Sequence, residues 1–178
     1  MADDKKKDKK KYLLILLLLL ITIAAVCVSV WAIWFRDSAP VLAPDYAPRQ
    51  VEENAEPIGD SGDEKLSQPE GGGAVSLTYA REVGISLAKK RATLMFANPT
   101  KSNQDMVLQL VIEDVVVLQS GRLEPGNRVT ALNLSDGVEK RLTAGGYNGK
   151  FVVLYYDRTS GEKAMVNTEI PVTVTVTA

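Results

Sequence analysis

The chain has 178 residues, 21 basic and 22 acidic side chains, a formal net charge of −1, one cysteine and no histidine. The missing histidine removes the commonest general base and the commonest metal ligand. With its single cysteine at position 27, the C-terminal part has no disulfide to lean on and must be held by a patterned apolar core.

The tail, residues 1–11, sets Lys5, Lys6, Lys7, Lys9, Lys10 and Lys11 against Asp3, Asp4 and Asp8. Lysines beside a first span stay on the cytoplasmic side, which predicts a tail inside and the rest of the chain outside the plasma membrane. No aromatic residue is interleaved with them, so they read as orientation signals and not as a nucleic-acid site.

Leu13 to Phe35 contains no charged residue. At about 1.5 Å per residue such a run gives a helix of about 34 Å, enough for a hydrocarbon core of about 30 Å. Residues 12–35 are therefore expected to be a transmembrane helix in the lipid bilayer, with Tyr12 at one interface and Trp31, Trp34 and Phe35 at the other. The run exceeds the apolar core of a secretory signal, about 7 to 15 residues, so the span is expected to be retained. Cys27 reads as a small apolar filler within it.

Residues 36–74 carry three basic against nine acidic side chains, repeat Ala39-Pro40, Ala43-Pro44 and Ala47-Pro48, and end in Gly71-Gly72-Gly73. Such a composition buries too little apolar surface to order itself, which predicts an extended spacer with a glycine swivel. The acidic Asp60 to Glu64 lacks the closing glutamate of an EF-hand loop, so no metal is expected there.

From Val75 to the end, short β-branched runs alternate with turn residues about every ten positions, which predicts one all-β domain over 75–178, a sandwich or barrel. The expected strands are Val75–Tyr79, Val83–Leu87, Ala92–Ala97, Met106–Glu113, Val115–Ser120, Arg128–Leu134, Lys150–Tyr156 and Met165–Thr177. Alternation places Met106, Leu108, Leu110 and Ile112 on the core face of their strand, with Gln109 and Glu113 opposite. Glu113-Asp114 suits a tight hairpin, while Asp136-Gly137 and Asn148-Gly149 suit turns with positive φ.

Two segments carry a family resemblance. Leu142 to Tyr147, L-x-x-G-x-Y, is similar to the lead-in to the penultimate strand of immunoglobulin-like and fibronectin type III-like sandwiches, where the tyrosine hydrogen-bonds back to the chain. Leu123-Glu124-Pro125-Gly126 resembles the L-x-P-G turn before a middle strand in bacterial members. The resemblance covers residues 75–178 and implies an immunoglobulin-like antiparallel β-sandwich of about 7 to 8 strands in a membrane-anchored bacterial envelope protein. The disulfide pair and core tryptophan of antibody domains are missing.

Little in the chain points to chemistry. Ser86-Leu87-Ala88-Lys89 spells S-x-x-K but straddles a strand end without the companion motifs of penicillin-binding enzymes, and no nucleophile elbow, phosphate loop or dinucleotide fingerprint occurs. No catalytic residue and no cofactor is expected. Two functional readings remain: a non-catalytic binding module at the cell envelope, or a structural subunit that assembles through a sheet edge or its membrane helix. For the first, the loops Asn98–Asp105 and Asp157–Lys163 are expected at one end of the domain, bringing Lys101, Ser102, Asn103, Gln104, Arg158 and Ser160 together for a sugar or acidic wall polymer. For the second, Pro171 cannot donate to a ladder, so the strand is expected to be an edge or locally bulged there; the uncharged stretch beyond it, with Thr173, Thr175 and Thr177 facing solvent, either completes its own sheet or is an edge open to self-association or to an envelope protein.

Overall fold

The computed structural model describes residues 15–28, 44–59, 64–67 and 73–178. The chain divides into two compact units, Met1–Ser38 and Ala39–Ala178. In the first, residues 15–28 form an α-helix whose apolar side chains are exposed. The Thr22 hydroxyl folds back onto the carbonyls of Leu18 and Leu19, at 3.1 and 2.8 Å, so the helix presents no unsatisfied side-chain donor there. No helix among the described residues is long and apolar enough to cross a membrane. The lysine tail, Tyr12 to Leu14 and Ser29 to Phe35 lie outside the described residues.

The second unit is mostly β. Its strands are β1 (Glu56–Pro57), β2 (Thr78–Tyr79), β3 (Glu82–Ser86), β4 (Arg91–Asn98), β5 (Asp105–Ile112), β6 (Val115–Gln119), β7 (Asn127–Asn133), β8 (Gly145–Tyr156) and β9 (Lys163–Thr177). They make one sheet in the order β1-β7-β4-β3-β9-β8-β5-β6, with β2 also on β4. The expected all-antiparallel arrangement is corrected at one seam, where β3 and β9 run parallel and make the sheet mixed. The sheet curls over its own face: Phe96 of β4 meets Phe151 of β8 edge-on at 6.4 Å, although two strands lie between them in the ladder. Beyond β7, the Ser135 amide donates to the Val117 carbonyl of β6 at 2.9 Å, which brings the two ends of the curl together.

Alternation explains the core. On β9, Ile170, Val172, Val174 and Val176 are buried while Pro171, Thr173, Thr175 and Thr177 face out. Met106, Leu108, Leu110 and Ile112 enter the main core with Phe151, Val153 and Val129. The reverse face of β5 is not solvated as expected, because all eight of its residues are buried. Val107 and Val111 join Val116, Val152, Leu154 and Tyr156 in a second apolar cluster, against which Ala47 packs. Gln109 Nε2 donates there to Gln119 Oε1 at 2.7 Å.

Several turns match their sequence signals. Glu113 and Asp114 adopt φ of 49 and 62 between β5 and β6, the twist a two-residue hairpin needs, and Gly137 has φ of 78. Asn148-Gly149 is corrected from a turn to mid-strand β8: an added Cβ at Gly149 would stand 3.1 Å from the Val111 carbonyl oxygen and from Val174 Cγ2. The glycine is there for close packing. Val75 to Leu77 lie outside strand β2. The Tyr147 hydroxyl accepts from the Thr143 amide at 3.1 Å and donates to the Thr143 carbonyl at 3.0 Å, forming the expected corner before β8 turns inward. Tyr147→Phe should therefore lower the denaturation midpoint by about 1 kcal/mol of stability at unchanged m-value.

The expected free spacer differs most from the structure. The Lys163 amide donates to the Asp45 carbonyl at 2.9 Å and the Ala47 amide to the Gly161 carbonyl at 3.0 Å. The Tyr156 hydroxyl reaches the Pro44 carbonyl at 2.8 Å. Further on, Arg122 donates to Gln50 and Glu52 to Arg122, each at 3.0 Å, before β1 pairs with β7 and Ile58 donates to Gly126 at 2.9 Å. Residues 44–59 are thus a strap laid on the sheet. Its anchors are mainly main-chain bonds, with the Tyr156 hydroxyl and the Glu52 carboxylate beside them, contributions that a count of apolar residues does not register.

Candidate functional site

The loop between β4 and β5 and the loop between β8 and β9 do share one end of the unit. Arg158 Nε stands 3.2 Å from Asp105 Oδ1, and Arg122 Nε stands 3.3 Å from Asp105 Oδ2. Burial pushes the Asp105 carboxyl up, and the Arg158 and Arg122 guanidinium charges pull it back. In the second loop the backbone amides of Ser160 and Thr159, each 2.8 Å from Asp157 Oδ1, hold that carboxyl below its ordinary value. Burial, with the Asp45 charge adding to it, raises the Tyr156 phenol to about 12, so it stays a donor to the strap.

Most of the expected ligand set is spent inside the fold. Ser102 is fully buried, its Oγ accepting from the Ser76 amide and donating to the Ser76 carbonyl, both at 2.9 Å. Asn103 Oδ1 accepts from the Ala74 amide at 2.9 Å, and buried Gln104 lies against Gly73. These three residues seat the chain as it enters β2. Arg158 is paired with Asp105, and Ser160 Oγ accepts the Glu162 amide at 3.2 Å. Lys101 gives its carbonyl to the Leu66 amide at 2.9 Å and is one of the residues lining a concavity described below. Short polar side chains beside an irregular segment were the available signal, since they satisfy backbone donors that no strand serves.

The edge assigned to Thr173, Thr175 and Thr177 is overturned. There β9 is an interior strand: Thr173 and Thr175 face Asn148 and Gly146 of β8 on one side, and Glu82, Gly84 and Ser86 of β3 face Thr173, Thr175 and Thr177 on the other. The Thr173 amide donates to the Arg81 carbonyl at 2.9 Å, on the side away from β8. By the two-residue period, position 171 faces the same way, and proline has no N–H to offer. The second ladder ends at Pro171, and the open edge lies on its N-terminal side.

Between Ala164 and Pro171, β9 has β8 on one side and, among the described residues, no strand on the other. The register with β8 shifts between Leu154 and Tyr156, so the strand bulges here. Met165 is 100% exposed and Val166 69%. A groove of about 800 Å³ is lined by this segment, with Tyr155, Thr168, Met165, Val166, Val75 and Ser160 among its residues. The Tyr155 and Thr168 hydroxyls are 2.7 Å apart and satisfy each other. From Met165 to Pro171 the side of the main chain away from β8 has no strand partner among the described residues and lies beside two apolar side chains, which suits capture of an extended chain. Among the described residues no group of three histidines, cysteines or carboxylates is placed to hold a metal ion.

No protein-family model and no curated protein matches the chain. Among solved structures, the chain is similar to AggA, the major subunit of aggregative adherence fimbriae type I from Escherichia coli, at 12% identity and a TM-score of 0.27. That alignment covers 65% of this chain and 100% of the other. A likeness this slight carries no argument about what the chain does.

Proposed function

We propose that this protein is a non-catalytic, membrane-tethered envelope subunit that takes an extended segment of a partner protein onto the open half of β9. The observation that carries the reading is the side of β9 away from β8 between Met165 and Pro171, which has no strand partner among the described residues, with Met165 and Val166 exposed beside it. Strand addition draws affinity from main-chain bonds and specificity from alternate side chains, so the partner segment is uncharged and apolar at the positions facing Met165 and Val166. Support for the tether is the uncharged run from Leu13 to Phe35 behind six lysines, which favours an inside tail and an outside C-terminal unit. Support for an immunoglobulin-like sandwich is the Tyr147 corner and the facing of β4 and β8 across the core. Presentation of the two loops to a wall polymer is the weaker reading, because Ser102, Asn103 and Gln104 are already engaged.

Asn167 shares the outward parity of Thr173, so Asn167→Pro removes one outward donor and no bond to β8. In intact cells, a photoreactive side chain at Val166 should capture a specific protein in the unaltered background and lose it with Asn167→Pro. Capture that survives Asn167→Pro, or capture of wall polymer instead of protein, overturns the reading.

A further inference from the structure

A second concavity, of about 390 Å³, lies over the outward face of β4 and β7. Solvent faces of antiparallel sheets are ordinarily polar. Here Met95 and Ala97 of β4, Ile58 of the strap and Pro99 supply apolar surface, and two cations, Lys101 and Arg128, stand beside it. The Lys101 ammonium has no hydrogen-bond or ion-pair partner among the described residues. Arg128 Nε meets Glu56 Oε2 only at 3.4 Å, with both side chains about half exposed, a surface pair that an incoming carboxylate can replace.

We propose that this concavity binds an acidic peptide segment in which an aliphatic residue adjoins glutamate or aspartate. Its carboxylates pair with Lys101 and Arg128, the guanidinium donating two hydrogen bonds to one of them, and its aliphatic side chain lies on Met95 and Ala97. Thr78 and Thr130 line the same hollow and carry hydroxyls able to meet a peptide backbone. A peptide fits better than a saccharide because, among the described residues, no aromatic ring lines the hollow to stack on a pyranose face. The site is separate from the open half of β9 and stands whether or not that edge captures a strand.

The test uses the purified full chain in detergent and a fluorescent peptide of alternating glutamate and leucine, read by anisotropy. Lys101→Glu and Arg128→Glu should each weaken binding by about tenfold or more, and Met95→Asp by a similar factor. A glutamate–serine peptide should bind about tenfold more weakly than the glutamate–leucine probe, since the apolar floor would have nothing to hold. Asn167→Pro should leave the affinity unchanged. The proposal is overturned by equal binding of the two peptides, by indifference to the Lys101 and Arg128 changes, by polygalacturonate displacing the probe at lower concentration than unlabelled peptide, or by loss of binding in Asn167→Pro.

Discussion

Leu110→Asp is expected to leave no folded C-terminal unit. Leu110 is wholly buried at the middle of β5, opposite Leu118 on β6 and Phe151 on β8. Truncation of such a side chain alone removes about 2 to 5 kcal/mol, and the carboxylate adds a buried charge with no cation among the core residues. Together these exceed the lower part of the range of about 5 to 15 kcal/mol that ordinarily separates folded from unfolded states. Loss of near-ultraviolet circular dichroism and of a cooperative melt is the expected result. Leu110→Val, which keeps the apolar contact, should melt cooperatively with a loss of about 1 kcal/mol. A cooperative melt in the aspartate variant contradicts the assignment of this position to the centre of the core.

The second large effect belongs to the strap. Glu52 is buried and its Oε2 accepts the Gly121 amide at 2.6 Å, while Oε1 accepts the Asn54 amide at 2.9 Å and Asn54 Nδ2 at 2.8 Å. A Cβ at Gly121 would lie 2.9 Å from Glu52 Cα and N, and backbone cannot step aside as a side chain can. Gly121→Val should therefore expel residues 50–54 and cost about 2 to 3 kcal/mol through lost hydrogen bonds and the freed carboxylate. Hydrogen exchange reads this directly: the amides of Ala47, Glu52 and Ile58, which donate across the strap, should lose protection, while those within β8 and β9 keep it. Dye binding should rise as the cluster of Val107, Val152 and Tyr156 gains access to water. Unchanged protection at Glu52 would show that the strap is held by something other than this carboxylate and this glycine.

The parts of the fold that were legible in the sequence are those where one physical rule acts alone. Period-two alternation located β3 through β9 to within a few residues except at the start of β8, and the positive φ of Glu113, Asp114 and Gly137 follows from turn residues. Asn148-Gly149 misled because a glycine pair signal has two causes, and here the close approach of Val111 and Val174 decided it. The strap was illegible because composition measures apolar area, whereas its order comes from Glu52 and from main-chain partners more than sixty residues away. At the candidate site, Pro171 marks a position with no donor to offer a neighbour, but a sequence does not say on which side of it the neighbouring strand stops. That required the parallel partner β3, which no local pattern announces.

The parallel seam between β3 and β9 has a consequence in time. Its partners, Glu82 with Thr173 and Ser86 with Thr177, lie about ninety residues apart along the chain, and both β3 and β8 wait on β9 for a neighbour. At a synthesis rate of about 5 to 20 residues per second, β3 stands with an open side for roughly 5 to 18 s before the joining strand exists, and β8 for roughly 1 to 4 s. Contacts of such long separation also close slowly once the chain is complete. The nascent chain therefore passes through a stage in which two apolar strands are free to pair with the wrong neighbour, and the arrival of β9 ends it.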